Sequence, residues 1–145
     1  MHGSATSAAN PSGVRGICPA GWHVPSDAEW TQLTDYVSSQ SVYLCNGNSG
    51  EIAKAMAATT GWNSYSSSCT VGNTPGDNNA TGFSAFPAGY YNGSYDLFGV
   101  GAYFWSATLA SSNIAWDRIL RYYDTSVYKS NYSTHMGLSV RCVRD

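Results

Sequence analysis

Alternating apolar and polar positions are clearest near the end of the chain, in the stretch RILRYYDTSVYKSNYS at 118–133. Successive side chains of a β-strand point to opposite faces, so this alternation predicts a strand or a hairpin. Four of its sixteen residues are tyrosine and three are serine, whereas a core strand is richer in Val, Ile and Leu. The pattern therefore predicts a strand whose outward side chains are mostly phenols and hydroxyls.

The chain after Gly82 is rich in β-forming residues, and Gly, Ser and Asn turns divide it into four predicted strands. They are GFSAFPAGYY, AYFWSATL, IAWDRILRYY and GLSVRCVRD. In the third segment we expect one face, with Trp116 and Leu120, to meet the core. The opposite face mixes side chains in an order that packing does not explain, and it comprises Asp117, Ile119, Arg121 and Tyr123.

A first helix is predicted at 27–38, before this β-rich region. Ser26 followed by Glu29 forms a capping box, in which each side chain can bond a free backbone N–H of the other residue. Trp30, Leu33 and Val37 then recur at helical spacing. We expect this apolar stripe to pack on a sheet, with Trp22 and Val24 as extended chain leading into the helix.

A second helix is predicted at 51–58, capped by Ser49 and ended by Gly61. Residues 63–82 follow and consist almost entirely of turn-forming residues. A loop of this length is unusual within a single domain. Asp77 and the two asparagines after it could donate oxygens to calcium, but their spacing matches no complete calcium loop. Turn chemistry is the favoured interpretation, and no metal site is predicted.

Length and composition indicate one folded domain that binds neither nucleic acid nor membrane. The chain has 145 residues, 43% of them hydrophobic and only 11% charged, with a net charge of −2. It has no basic patch and no apolar run long enough to cross a bilayer. We interpret 1–15 as a tag and linker and 16–145 as the domain. MHGS is typical of a cloning remnant, so a native targeting signal is expected to have been removed.

The even number of cysteines favours disulfides over a metal site. None of the four forms a CxxC pair and the three histidines are scattered, which makes zinc improbable. Three connectivities are open, and four free thiols are the alternative. We prefer Cys18–Cys142, which would join the chain ends, and Cys45–Cys69, which would close one loop. Two disulfides would place the protein in an oxidising compartment, extracellular or at the cell surface.

Several motifs, in order, resemble the Fibrobacter major paralogous domain. They are CPAGWHVPSDAEWTQL, GFSAFPAGYYNG, FWSAT and GLSVRCVRD, and the resemblance runs from Gly16 to Asp145. It implies an α+β, C-type lectin-like fold of the branch that includes formylglycine-generating enzymes. In that fold two helices pack on a small twisted antiparallel sheet with long irregular loops.

The residues between these motifs are similar to the variable proteins of diversity-generating retroelements. In those systems asparagine codons are rewritten to codons for Tyr, Ser, Asp, Thr, Ile, His and Ala while the surrounding residues stay fixed. Eight of the eleven tyrosines lie between Tyr90 and Met136, among fixed-looking positions such as Trp105. Met136 departs from the pattern, because adenine changes alone cannot convert an asparagine codon to methionine.

Tyrosine with serine and asparagine is also the composition of antibody binding loops. A tyrosine offers a large contact area with two torsions to freeze and a hydroxyl that donates or accepts. We therefore predict a binding surface for a protein or glycan on another cell or host, with no cofactor. Its predicted residues are Tyr91, Tyr95, Asp96, Tyr103, Asn113, Asp117, Ile119, Arg121, Tyr123, Tyr128, Tyr132 and His135.

Other functions remain as alternatives to this non-catalytic binding domain. A formylglycine-generating-like enzyme needs a reactive cysteine pair, and only Cys142 lies in the C-terminal half. No Ser-His-Asp set, phosphate loop or HExxH motif is present, so no catalytic residue is predicted. A calcium-dependent lectin would carry Glu-Pro-Asn or a related signature, which is missing. A surface module without diversification is the last alternative, and a phage particle is a further location.

Overall fold

The computed structural model describes residues 6–145, and the predicted cloning remnant at 1–4 lies outside them. Within these residues the fold is α+β, with two α-helices, seven short or medium strands and long irregular connections. The helices are α1 (Asp27–Ser39) and α2 (Ala53–Met56), and single 3-10 turns lie at Ser41–Tyr43, Cys45–Gly47 and Pro75–Asp77. The strands are β1 (Trp22–His23), β2 (Tyr90–Tyr91), β3 (Tyr95–Asp96), β4 (Gly101–Ser111), β5 (Ile114–Arg121), β6 (Tyr128–Ser133) and β7 (Val143–Arg144).

Helix α1 begins where the capping box predicts. The Ser26 side chain accepts from the Glu29 backbone N–H, and the Glu29 side chain accepts from the Ser26 N–H. The Trp30 ring then packs on Phe104 of β4 and on Phe83, with centroid distances of 5.7 and 5.8 Å. The predicted helix and its contact with a sheet are therefore confirmed.

The main sheet has three antiparallel strands in the order β4–β5–β6. The β5–β6 ladder is regular from Ile114↔Ser133 to Ile119↔Tyr128, whereas the β4–β5 ladder shifts register twice after Trp105. The stretch 118–133 is therefore the hairpin that its alternation predicts. Two predicted strands are much shorter than expected: only Tyr90–Tyr91 of 82–91 and Val143–Arg144 of 137–145 are strand.

The second helix also differs from the prediction. It is the single turn Ala53–Met56, its N-cap is Ile52 rather than Ser49, and the chain is extended at Ala57. Ala57 instead forms a bridge with Ala85, and the backbone N–H of Ala58 donates to the Ala85 carbonyl. This pairing ends the helix early because the same backbone groups cannot serve both structures.

The core lies between α1, α2 and one face of the sheet. Its buried side chains contact each other around Trp30, Met56, Phe104 and Leu120. Arg118 is buried on the same face and its guanidinium is 2.7 Å from an Asp27 carboxylate oxygen at the start of α1. The side of the third predicted strand that we expected to meet the core therefore does so.

Two disulfides connect distant parts of the chain with the pairing that we preferred. Cys18–Cys142 joins the two ends of the domain, beside the antiparallel pairing of β1 with β7. Cys45–Cys69 closes a loop with a sequence separation of 24. All four cysteines are thus bonded, which is consistent with a secreted or extracellular protein.

The segment that we interpreted as linker contacts the domain over much of its described length. The Ser7 N–H and the Thr6 hydroxyl both donate to the Ala107 carbonyl, and the Val24 N–H donates to Val14. The Ser12 side chain is buried and donates to the Val24 carbonyl. Contacts with the domain therefore begin before residue 16.

A buried histidine ties the start of the domain to its end. His23 Nδ1 lies 2.6 Å from an Asp145 carboxylate oxygen, and Nε2 lies 2.7 Å from a Glu29 oxygen. The other Glu29 oxygen accepts from the backbone N–H groups of Ser26 and Ser12. The hydrogen bond to Glu29 is the main cause that raises the pKa of His23, because it stabilises the charged imidazolium.

A lysine ammonium holds the long loop at 63–82. Lys54 Nζ donates to the carbonyls of Asn73 and Thr74 and to the Asn78 side-chain oxygen. The buried Asn78 amide donates in turn to the carbonyls of Ala58 and Val71. Of the three residues considered as calcium donors, Asn78 thus binds a cation that the chain itself supplies, and the Asn79 side-chain oxygen accepts from the Ser84 N–H.

Candidate binding surface

Aromatic rings form three groups that include several of the predicted binding residues. We call them the hairpin group, the central group and the loop group. Each group consists of rings whose centroids lie within 6.4 Å of one another. Because tyrosine combines a large apolar face with a hydroxyl, such groups can make both apolar and hydrogen-bonded contacts with a ligand.

The hairpin group lies on the β2–β3 hairpin and consists of Tyr91 and Tyr95. These residues are cross-strand partners and their rings are 5.1 Å apart. Tyr95 is 88% exposed, the highest value among the exposed large hydrophobic residues. An aromatic ring held so far into solvent by a short hairpin is available for contact with a partner.

The central group consists of Tyr90, Tyr103 and Tyr132, which belong to β2, β4 and β6. The Tyr90 and Tyr103 rings meet edge to face at 5.3 Å, and Tyr132 lies 6.1 Å from Tyr103. Burial raises the pKa of the Tyr103 hydroxyl, and a hydrogen bond to Arg121 acts in the opposite direction. This group fixes the β2–β3 hairpin against the main sheet.

The loop group consists of Tyr65, Tyr122 and Tyr123. Tyr65 comes from the long loop and meets both tyrosines at the end of β5, at 5.6 and 6.4 Å. Next to it the Arg121 guanidinium lies over the Tyr128 ring, 5.8 Å from its centroid. Arg121 therefore lies between Tyr103 of the central group and Tyr128 of β6.

Three predicted surface residues are buried, and their prediction as outward side chains was wrong. Tyr103 is 1% exposed, and Asp117 and Ile119 are fully buried. The strand register explains this result: Ile119 lies between Tyr103 and Tyr128, and Asp117 lies between Trp105 and Ser130. The rings of Tyr103, Tyr128 and Trp105 flank these two side chains on one face of β5. Helix α1 packs on the opposite face, so both faces of the centre of the strand are buried.

Asp117 is a buried carboxyl with no hydrogen-bond partner for either oxygen among the described residues. Burial raises its pKa to about 7, although the positive charges of Arg118 and Arg121 act in the opposite direction. The free-energy cost of burying the carboxylate exceeds the stabilisation that the two positive charges give it. The carboxyl therefore keeps its proton to an unusually high pH. Asp117 therefore belongs to the interior of the sheet.

The other nine predicted residues lie at or near the surface. Arg121 and Tyr132 are half-buried, and the exposed residues are Tyr91, Tyr95, Asp96, Asn113, Tyr123, Tyr128 and His135. His135 and Tyr91 border a cleft of about 840 Å³, whose walls are mostly apolar and include Trp105, Met136 and Leu138. Asn113 lies apart from the ring groups, at the turn between β4 and β5.

Sequence reasoning missed three exposed aromatic residues. Tyr65 belongs to the loop group, and Phe86 and Phe98 form a further exposed pair with ring centroids 6.0 Å apart. Tyr65 stands in a run of serines and both phenylalanines stand next to small or turn-forming residues. An isolated aromatic residue among polar or turn-forming residues can indicate an exposed ring. The surrounding turn-forming residues favoured an interpretation as plain loop instead.

The described residues offer one group of metal-type ligands, and it does not fit a metal. Cys45, Glu51 and Cys69 bring their ligand atoms together, but both sulfurs belong to one disulfide. A disulfide sulfur lacks the thiolate charge that metal binding needs. Within 6–145, no helix has both the length and the apolar character that crossing a bilayer requires.

Comparison with known proteins identifies one family. The family described as the Fibrobacter succinogenes major domain matches residues 5–144, nearly the entire chain. No curated protein matches the chain. No solved structure matches it either.

Proposed function

The chain belongs to the Fibrobacter succinogenes major domain family, and we propose that it is a non-catalytic ligand-binding domain of that family. Its aromatic surface would bind a protein or glycan on another cell or host. The observation that carries the proposal is the exposure of Tyr91, Tyr95, Tyr123 and Tyr128, which come from three segments of a cross-linked domain. Exposed aromatic groups of this kind usually mark an interaction site.

The chemistry of the surface supports adhesion or receptor recognition more than catalysis. Its exposed side chains are mostly phenols, with the Asn113 amide, the Asp96 carboxylate and the His135 imidazole, and the half-buried Arg121 supplies a cation beside Tyr128. All four cysteines are bonded, so the reactive thiol that a formylglycine-generating-like reaction needs has no candidate here. A few aromatic anchors can supply most of the affinity of such a surface.

The test is a double substitution of exposed tyrosines, Tyr123→Ala with Tyr128→Ala. Binding partners are first selected by applying the wild-type domain to a glycan array and to a peptide display library. We expect the double variant to lose at least about tenfold in affinity for the selected partner, because aromatic anchors dominate interface energetics. Binding is measured by titration calorimetry, with circular dichroism as the check on folding.

Tyr36→Ala is the matched control for this experiment. Tyr36 is 59% exposed on α1, away from the three ring groups, so its removal should leave affinity unchanged. A folded double variant that binds as well as the wild type would exclude the loop group and Tyr128 from the binding surface. Loss of affinity in both variants would point to a different face.

We further propose that the exposed positions between Tyr90 and Met136 are diversified by a retroelement. The exposed members of this region can change without loss of folding, whereas Tyr103, Asp117 and Ile119 are buried and are expected to vary less. Sequencing of the flanking DNA tests this idea. A neighbouring near-copy with AAC or AAT codons at the exposed positions would support it, and a locus without such a copy would return the domain to an undiversified surface module.

The finer fold assignment is also a proposal. The joined chain ends, the α1–sheet contact and the long loop support a C-type lectin-like fold of the formylglycine-generating-enzyme branch. The two disulfides support an extracellular, cell-surface or phage location. Immunolabelling of intact cells, compared with permeabilised cells, would test surface exposure directly.

A further inference from the structure

The two edges of the main sheet differ in how their backbone groups are satisfied. The outer edge of β4 is covered along its length by other segments. Gly89 and Ser139 bond its first half, and Pro25 and Ser7 bond Ala107 in its second half. No comparable segment covers the outer edge of β6 in the described part of the chain.

The alternation of backbone hydrogen bonds along β6 shows which of its N–H and C=O groups point away from β5. The Thr134 N–H donates to the Asn113 carbonyl, and in an antiparallel ladder every second residue bonds the same neighbour. With the observed register, residues 128, 130 and 132 bond β5. The backbone N–H groups of Lys129, Asn131 and Ser133 therefore point away from the sheet, and all three residues are exposed.

The usual protections of an edge strand are weak at β6. The strand has no proline and no bulge, and its one charge is directed back onto the domain. Lys129 Nζ is 2.6 Å from an Asp27 oxygen and 4.1 Å from the centroid of the Trp116 ring. An outward charge would repel an approaching strand, but this ammonium is already bound.

We propose that β6 pairs antiparallel with β6 of a second copy of this chain, about a twofold axis at Ser130. This inference stands apart from the proposed ligand and rests on the edge alone. The two three-stranded sheets would join into one of six strands, within the common size range. A twofold axis makes the contact self-limiting, because each edge is used once.

The sequence of β6 is complementary to itself in this register. Tyr128 would lie opposite Tyr132 of the partner subunit, and such aromatic cross-strand pairs stabilise a ladder. Lys129 would lie opposite Asn131 of the partner subunit, so the one cation does not face its own copy. The net charge of −2 per chain adds little repulsion between the copies.

The experiment uses the whole chain in sedimentation equilibrium and in amide hydrogen exchange followed by NMR. We expect a dimer population that grows over about 10–500 µM, as mass action requires. The amides of Lys129 and Asn131 should exchange more slowly at the high concentration. In the dimer, Asn131→Lys would place a lysine of each copy opposite Lys129 of the other copy. These two repulsive pairs should weaken dimerisation by at least about tenfold.

Two further variants make the result specific. Asn131→Pro removes an outward N–H without breaking a β5 bond, and edge strands tolerate proline, so it should also give monomers. Asn92→Lys adds the same charge to an exposed asparagine of the β2–β3 hairpin and should leave dimerisation unchanged.

Three results would overturn the proposal. The first is a monomer at every concentration with unchanged amide exchange. The second is a dimer that is insensitive to both Asn131 variants. The third is an edge that gains protection only when a ligand is added, which would assign β6 to a partner strand instead of a second copy. None of these depends on the tyrosine substitutions, so failure here is distinguishable from failure of the ligand-binding proposal.

Discussion

At the scale of single residues, the register of the sheet determines exposure more strongly than residue type does. Asp117 and Tyr123 lie on the same predicted face of β5, yet Asp117 is buried and Tyr123 is exposed. The difference arises because Asp117 has a strand on each side, whereas Tyr123 lies beyond the end of β5. A polar side chain in the middle strand is thus covered by the large neighbours that the outer strands supply.

Asp117 yields a prediction about the pH dependence of stability. Its pKa is raised to about 7 in the folded protein, so the folded state holds this proton more tightly than the unfolded state does. Its contribution is complete below the unfolded pKa of about 4 and is lost as pH rises through about 7. Asp117→Asn, which has no charge to bury, should therefore gain stability relative to the wild type as pH rises, by roughly 2–4 kcal/mol in all.

Urea unfolding between about pH 4 and pH 8 measures this effect. Ser130→Ala is the control, since Ser130 is the cross-strand partner of Asp117 and does not titrate. Its effect on the free energy of unfolding should be the same at each pH. A difference between Asp117→Asn and the wild type that does not change with pH would show that the carboxyl is solvated or bonded in the folded protein.

At the scale of elements, local signals predict well and pairing across the chain does not. The capping box at Ser26 and Glu29 locates the start of α1, and the alternation at 118–133 locates the β5–β6 hairpin. Both signals depend on neighbours in sequence. Helix α2 fails because Ala57 and Ala58 pair with Ala85, a distant partner that no periodicity reveals.

The long loop also shows that sequence patterns do not reveal contacts between distant parts of the chain. Turn-forming residues correctly indicate that 63–82 is largely irregular, with one 3-10 turn at Pro75–Asp77. They give no sign that Asn78 is buried and bonds Ala58 and Val71. An asparagine in such a run looks like any other turn residue until the folded chain surrounds it.

Asn78 yields a prediction about the stability of this loop. Asn78→Ala leaves the buried carbonyls of Ala58 and Val71 without donors and removes an acceptor of Lys54. We expect the free energy of unfolding to fall by about 1–3 kcal/mol for an unsatisfied group, measured by urea denaturation. Asn73→Ala is the contrast: its side chain makes one bond, to the Ser66 carbonyl near the surface, so its effect should be smaller. Equal effects would contradict the structural role of Asn78.

At the scale of the whole molecule, the disulfides and the buried His23 network stabilise a frame that carries the ring groups. Cys18–Cys142 and the His23–Asp145 contact join both ends of the domain, and Cys45–Cys69 lies in the region of the long loop that supplies Tyr65. Sequence composition indicated the tyrosine surface as a whole. It did not indicate which tyrosines are interior, because that depends on how three strands and a hairpin meet.

Hydroxyl-radical footprinting shows whether the exposed tyrosines contact a ligand. Hydroxyl radicals modify solvent-exposed rings, and mass spectrometry then compares each tyrosine in the free domain and in its complex with the selected partner. We predict that Tyr91, Tyr95, Tyr123 and Tyr128 lose reactivity in the complex while Tyr36 keeps it. Unchanged reactivity at those four rings, with protection elsewhere, would show that the ligand binds a different surface.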